Sequence, residues 1–98
     1  MVSGEVTVIN TSGLHLRPSG VLTQTAIQFQ SSIYLYDGDR RIVGKSVLNI
    51  MAAAVSQGTV LRVECEGPDE KEALKAVIEA ISSGLGEGTV YNSSDRLF

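Results

Sequence analysis

The chain switches repeatedly between a two-residue hydrophobic period and the three-to-four-residue spacing of a helix. In "EVTVI", Val6 and Val8 point one way and Glu5, Thr7 and Ile9 the other, which predicts a half-buried strand. "NTSG" breaks it. From Leu16 to Gln28 the spacing predicts a helix burying Val21, Leu22, Ala26 and Phe29. Pro18 suits its first turn, where N–H groups lack intrahelical partners, and Gly20 weakens its interior. "SIYLYDGDRRIV" reads as a hairpin with Ile33 and Leu35 inward, Tyr34 and Tyr36 outward, and Asp37-Gly38 as the turn pair. "KSVLNIMAAAV" predicts a short helix capped by Ser46 and ended by "QG" at Gly58. Residues 47 and 51 share one side of it with 48 adjacent, while 50, 53 and 54 turn inward. "TVLRVECE" alternates again, with Leu61, Val63 and Cys65 inward and Val60, Arg62, Glu64 and Glu66 outward. "PDEKEALKAVIEAISSG" predicts a helix capped by Asp69, with Glu72 completing a capping box, a stripe of Leu74, Val77, Ile78 and Ile81, and a stop at Gly84.

The resulting order is β-α-β-β-α-β-α. Three helices cannot cover both faces of a four-stranded sheet. The expected fold is therefore α+β and two-layered, an open-faced sandwich with the helices on one side and Tyr34, Tyr36, Arg62 and Glu64 on the bare side. One domain over residues 1–86 accounts for these elements, and 87–98, rich in Gly and Ser, is expected to be a loosely ordered tail.

Composition narrows the function. With 43% hydrophobic residues, the 98-residue chain can build a core without staples. Its single cysteine, Cys65, rules out an internal disulfide, and no Cys/His spacing fits a metal. No metal or other cofactor is expected. The chain has neither a secretory signal pattern nor a membrane-length apolar run, so the expected location is the cytoplasm, without membrane insertion. A net charge of -3 with scattered Lys/Arg and 5% aromatic residues lacks the footprint of a nucleic-acid binder.

The only histidine stands in "GLHLRP", at the predicted start of the first helix. Helix N-termini favour anions through unpaired amides and the helix dipole. Imidazoles titrate near pH ~6.5, so at neutral pH many carry a free nucleophilic lone pair. A phosphoryl group on His15 would face those amides, and Arg17 could add charge-assisted hydrogen bonds. Pro18 would stiffen the turn. On local grounds His15 could equally be a plain surface or capping residue, and Ser46 a plain cap rather than a phosphorylation site. Val47, Leu48, Ile50 and Met51 cannot all face the sheet: they form either a docking patch or a tightly packed core helix.

Taken together, "GLHLRPSG", "KSVLNIMAAAVSQGT" with its serine 31 residues after the histidine, and "EGPDEKEALKAVIEAI" resemble the HPr family, the histidine-containing phosphocarriers of the bacterial sugar phosphotransferase system. The resemblance spans residues 2 to 86. It implies a cytoplasmic, monomeric carrier that is not itself an enzyme. His15 would accept a phosphoryl group on Nδ1 from enzyme I, charged by phosphoenolpyruvate, and pass it to IIA units of sugar permeases, with Arg17 steadying it. Ser46 would be the target of an HPr kinase/phosphorylase, in carbon catabolite regulation that engages a transcriptional regulator in many bacteria. Partners would dock on Leu16, Arg17, Gly20, Gln24, Val47, Leu48 and Met51.

Several positions depart from common family patterns: Leu16 for Ala or Thr, Ser19 and Gly20 for alanines, Gln24 and Ile27 for lysines, and Asn49 for glycine. Two other readings stay open. One is a regulatory paralogue acting through phospho-Ser46 or in a nitrogen-related branch. The other is an interaction domain whose histidine is incidental.

Overall fold

The computed structural model describes residues 1–87. Strand β1 (Val2–Thr7) is followed by helix α1 (Leu16–Ala26), the hairpin β2 (Ser32–Asp37) and β3 (Arg40–Val43), helix α2 (Val47–Ala52), strand β4 (Val60–Glu66) and helix α3 (Glu70–Ser82). The antiparallel sheet runs β1-β4-β2-β3, so the first strand pairs with the last. Alternation decides each strand's inner face: Val6, Ile33, Leu35, Ile42, Leu61, Val63 and Cys65 are buried. Leu22 and Ala26 of α1, Ile50 of α2, and Ala73, Val77 and Ile81 of α3 close over them. The sheet's other face stays bare. There the Arg62 guanidinium lies 4.6 Å from the Tyr36 ring centre, and Arg41 lies 4.8 Å from that of Tyr34. Burial pushes the Cys65 thiol's pKa up, which keeps it in the unreactive thiol form.

Local chemistry shifts several boundaries. The hairpin turn is Gly38-Asp39 rather than Asp37-Gly38. Asp37 still pairs with Arg40 as a strand residue, and Gly38 alone carries the positive φ, +62°. Helix α1 ends at Ala26, two residues early, and leaves Val21 and Phe29 only half-buried, whereas Ser19 and Thr23 are buried. Helix α2 stops well before Gly58. Ala54 takes a left-handed φ of +51° and its side chain is exposed, not turned inward; Ile50 and Ala53 alone of that predicted trio are buried.

The capping box of α3 does not form. Asp69 occupies the N-cap, but its carboxylate accepts from the backbone N–H of Gln30 (3.0 Å) and Ser31 (2.9 Å) and from the Ser31 hydroxyl. Glu70, not Glu72, reaches back, accepting from the Gly67 N–H at 3.1 Å. Gly84 does end the helix, with φ +93°, and Leu85 beyond it is buried. Glu87, the first residue of the expected tail, bonds to Asn10 and His15. Residues 88–98, the rest of that tail, lie outside the described residues.

Candidate functional site

The histidine is delivered by a tight turn between β1 and α1. Gly13 adopts φ +68°, and a Cβ there would lie 2.1 Å from the Val55 carbonyl oxygen. Only glycine permits that approach. It lets Leu14 donate its N–H to Val55 O (2.9 Å) and bury its side chain. Ser19 locks the turn from the other side, with Oγ donating to Leu14 O at 2.8 Å and its N–H to His15 O at 3.0 Å.

His15 is therefore the N-cap of α1 in backbone terms, with φ -79° and ψ -163°, but its ring makes no capping hydrogen bond. The side chain is 43% exposed. Its Nε2 lies 3.0 Å from Glu87 Oε2. The other carboxylate oxygen of Glu87 accepts from Asn10 Nδ2 at 2.8 Å, and the same amide nitrogen donates to Gly84 O at 2.8 Å. Behind His15 the chain offers the first-turn amides of Leu16 and Arg17, which a helix start leaves without intrahelical acceptors, while Pro18 has no N–H to leave unpaired. Arg17 is exposed two residues on, with no carboxylate partner among the described residues. The ring thus stands at the positive end of the α1 dipole, with the exposed Arg17 two residues along the chain.

Helix α2 stands beside this turn. A pocket of ≈340 Å³ is lined by Ser12, Leu14, His15, Met51, Ala54, Val55 and Ser56, joining the histidine to the end of α2. Of the expected docking residues, Leu48 is 80%, Leu16 64% and Met51 37% exposed. Arg17 and Gln24 are also exposed, Val47 is half-buried, and Gly20 borders open space. Ile27 adds a further exposed apolar side chain at the end of α1. Ser46 caps α2, its Oγ accepting from the Asn49 N–H at 3.1 Å. Asn49 in turn accepts from the Val43 N–H through Oδ1 at 2.6 Å, an anchor that a glycine at this position could not supply. Among the described residues there is no cluster of three or more metal-ligating side chains. No described helix is long and apolar enough to cross a membrane.

Sequence reasoning missed Asn10, Glu87 and the pocket residues Ser12, Val55 and Ser56. "NTSG" read only as a strand break, and Glu87 lay past the helix stop. No local signal joins them, because Asn10 and Glu87 stand 77 residues apart.

Residues 2–83 match the family profile described as the PTS HPr component phosphorylation site. The chain belongs to the HPr family, the phosphocarriers of the phosphotransferase system. Phosphocarrier protein HPr of Neisseria meningitidis serogroup A is 41% identical over 88 residues, covering 90% of this chain and 99% of that one. The HPr crystal structure from Thermoanaerobacter tengcongensis superposes with a TM-score of 0.85 at 38% identity, covering 91% of this chain and 100% of that one. The multiphosphoryl transfer protein of Salmonella typhimurium is 40% identical over 91 residues, which is 90% of this chain but 24% of that longer protein. The four-stranded antiparallel sheet under three helices is thus the open-faced sandwich of HPr proteins.

Proposed function

We propose that this chain accepts a phosphoryl group on Nδ1 of His15 from phosphorylated enzyme I and hands it to IIA units of sugar permeases. The observation that carries the reading is the state of His15. It occupies a helix N-cap, yet its exposed ring is not spent on capping, and the exposed Arg17 follows two residues on. Attack by the Nδ1 lone pair forms the N–P bond as the donor's own bond to phosphorus breaks. The loose transition state spreads charge over the equatorial oxygens, where the amides and Arg17 stabilise it. The carrier returns to its starting state each cycle, so it acts as substrate and donor for partner enzymes.

Leu16, Arg17, Gly20, Gln24, Val47, Leu48 and Met51 form the partner-docking surface in this reading. The exposure of Leu16, Leu48 and Met51 supports it. Gln24 and Ile27 carry no charge, so docking relies more on apolar contact than on electrostatic attraction. Ser46 is the regulatory site, phosphorylated by an HPr kinase/phosphorylase. Its phosphate would be tolerated at the start of α2 yet would repel an acidic partner next to Leu48. In this reading the carrier works as a monomer in the cytoplasm.

The test is incubation with phosphoenolpyruvate, magnesium and enzyme I, read by intact mass. The expected result is a gain of one phosphoryl group that is lost in acid and absent in His15→Ala. No gain with an active cognate enzyme I would overturn the carrier reading.

A further inference from the structure

The geometry points to Glu87 as a positioning residue that fixes which nitrogen of His15 reacts, with Asn10 holding Glu87 in place. This inference rests on the carrier reading above.

A neutral imidazole has one N–H and one lone pair, and either nitrogen can bear the proton. An ionised carboxylate only accepts hydrogen bonds. With Glu87 Oε2 3.0 Å from His15 Nε2, the proton belongs on Nε2 and the lone pair on Nδ1. Glu87 cannot swing away freely, because Asn10 Nδ2 donates to its Oε1 at 2.8 Å. Asn10 is itself fixed: it is 4% exposed, and its second amide hydrogen goes to Gly84 O at 2.8 Å. The amide nitrogen thus sits between two acceptors, which sets the orientation of the Asn10 side chain. A buried amide, a carboxylate and an imidazole form a line from the end of α3 to the N-cap of α1.

The line acts during transfer. The Nδ1 electron pair forms the bond to phosphorus, and the donor keeps the pair from the bond that breaks. The ring then carries positive charge, shared with Nε2–H, and Glu87 lies against that hydrogen. The proton stays on the ring throughout. When the phosphoryl group leaves for an acceptor, the pair returns to Nδ1 and the ring is again neutral with Nε2–H. Glu87 therefore favours the ring state formed on phosphorylation without taking a proton.

The test uses the full chain and two readouts. ¹⁵N NMR of the ring nitrogens, above the pH at which imidazole titrates, reports the tautomer without any partner. The expected wild-type result is a protonated Nε2 and a bare Nδ1, and Glu87→Ala should give a mixture. In transfer from phosphorylated enzyme I, Glu87→Ala should lower kcat about tenfold, the worth of one charge-assisted hydrogen bond, with KM for the carrier unchanged. Glu87→Gln has one uncharged acceptor oxygen for two donors, Asn10 Nδ2 and His15 Nε2, and its rate should fall between those of Glu87→Ala and wild type. Asn10→Ala should lower it less than Glu87→Ala. Wild-type tautomer and kcat in Glu87→Ala would overturn the inference. If the wild-type chain takes no phosphoryl group from enzyme I, the carrier reading fails instead, and the NMR result alone decides the Glu87–His15 pairing.

Discussion

Asp69 and Ser31 are bound to each other in both directions. The Ser31 N–H and hydroxyl donate to the Asp69 carboxylate, and the Asp69 N–H donates to Ser31 Oγ at 3.2 Å. The contact ties the start of α3 to the loop before β2. The Ser31 hydroxyl, followed by the Gln30 amide, holds the Asp69 carboxyl below its ordinary pKa. A lowered folded-state pKa means that the ionised form stabilises the fold above the unfolded value, and that this stability fades as pH falls through the folded value. Asp69→Asn is therefore expected to melt at a lower temperature than wild type at pH 7. The gap should narrow as pH drops below the ordinary aspartate value of about 3.9. Thermal melts followed by circular dichroism from pH 7 into the acid range check this, and a gap independent of pH would refute it.

Ser46 separates capping from regulation. Ser46→Ala removes the acceptor for the Asn49 N–H and should cost about 1 kcal/mol, or roughly 5 °C in Tm. Its phosphoryl acceptance should stay near wild type. Ser46→Asp retains a capping oxygen and should keep the wild-type Tm, while its added charge slows acceptance from enzyme I. Melting curves and transfer rates on both variants are the measurements. A wild-type transfer rate in Ser46→Asp would leave Ser46 as a cap alone.

Leu48 is 80% exposed and contributes little to the core. Leu48→Ala is expected to change stability by no more than about 0.5 kcal/mol. It should raise KM for the carrier roughly fivefold, about 1 kcal/mol of lost docking, with kcat unchanged. Steady-state phosphorylation by enzyme I over a range of carrier concentrations distinguishes the two parameters. An unchanged KM would remove α2 from the docking surface.

Two glycines near His15 predict opposite signs. At Gly13, a methyl group would meet the Val55 carbonyl, and φ is +68°. Gly13→Ala should cost at least about 2–3 kcal/mol and disrupt the turn that carries the histidine. Gly20 sits in the interior of α1 with nothing within 4 Å of its missing Cβ. Gly20→Ala should stabilise the chain by up to about 1 kcal/mol. Denaturant titration of both variants gives the comparison. A Gly13→Ala variant as stable as wild type would show that the backbone here can relax.

The strand faces were legible because alternation decides them within a few residues, as at Ile33 and Leu35 or Leu61 and Val63. Ser46 was legible as a cap for the same reason: its partner, Asn49, is three residues away. Asp69 was placed correctly at a helix start but given the wrong partner, since Ser31 lies 38 residues back and wins its carboxylate. Gly38-Asp39 displaced Asp37-Gly38 because β2 and β3 continue their ladder to Asp37 and Arg40, a fact of register rather than of turn composition. Ala54 bears no mark of its left-handed backbone, which glycine would have signalled. The Asn10–Glu87 contact joins two polar loop residues, and only the folded topology brings them together.

The strand order has a consequence for how the carrier comes into being. Because β1 pairs only with β4, the first strand has no neighbour until residues 60–66 exist. The turn bearing His15 waits in the same way, since Leu14 hangs on the carbonyl of Val55. During synthesis, a chain of 50 residues would hold the histidine and arginine yet lack the frame that presents them. Such sheets, closed by contacts distant in sequence, fold slowly. A chain cut short before residue 55 therefore lacks both the strand that pairs with β1 and the carbonyl that holds the turn of His15.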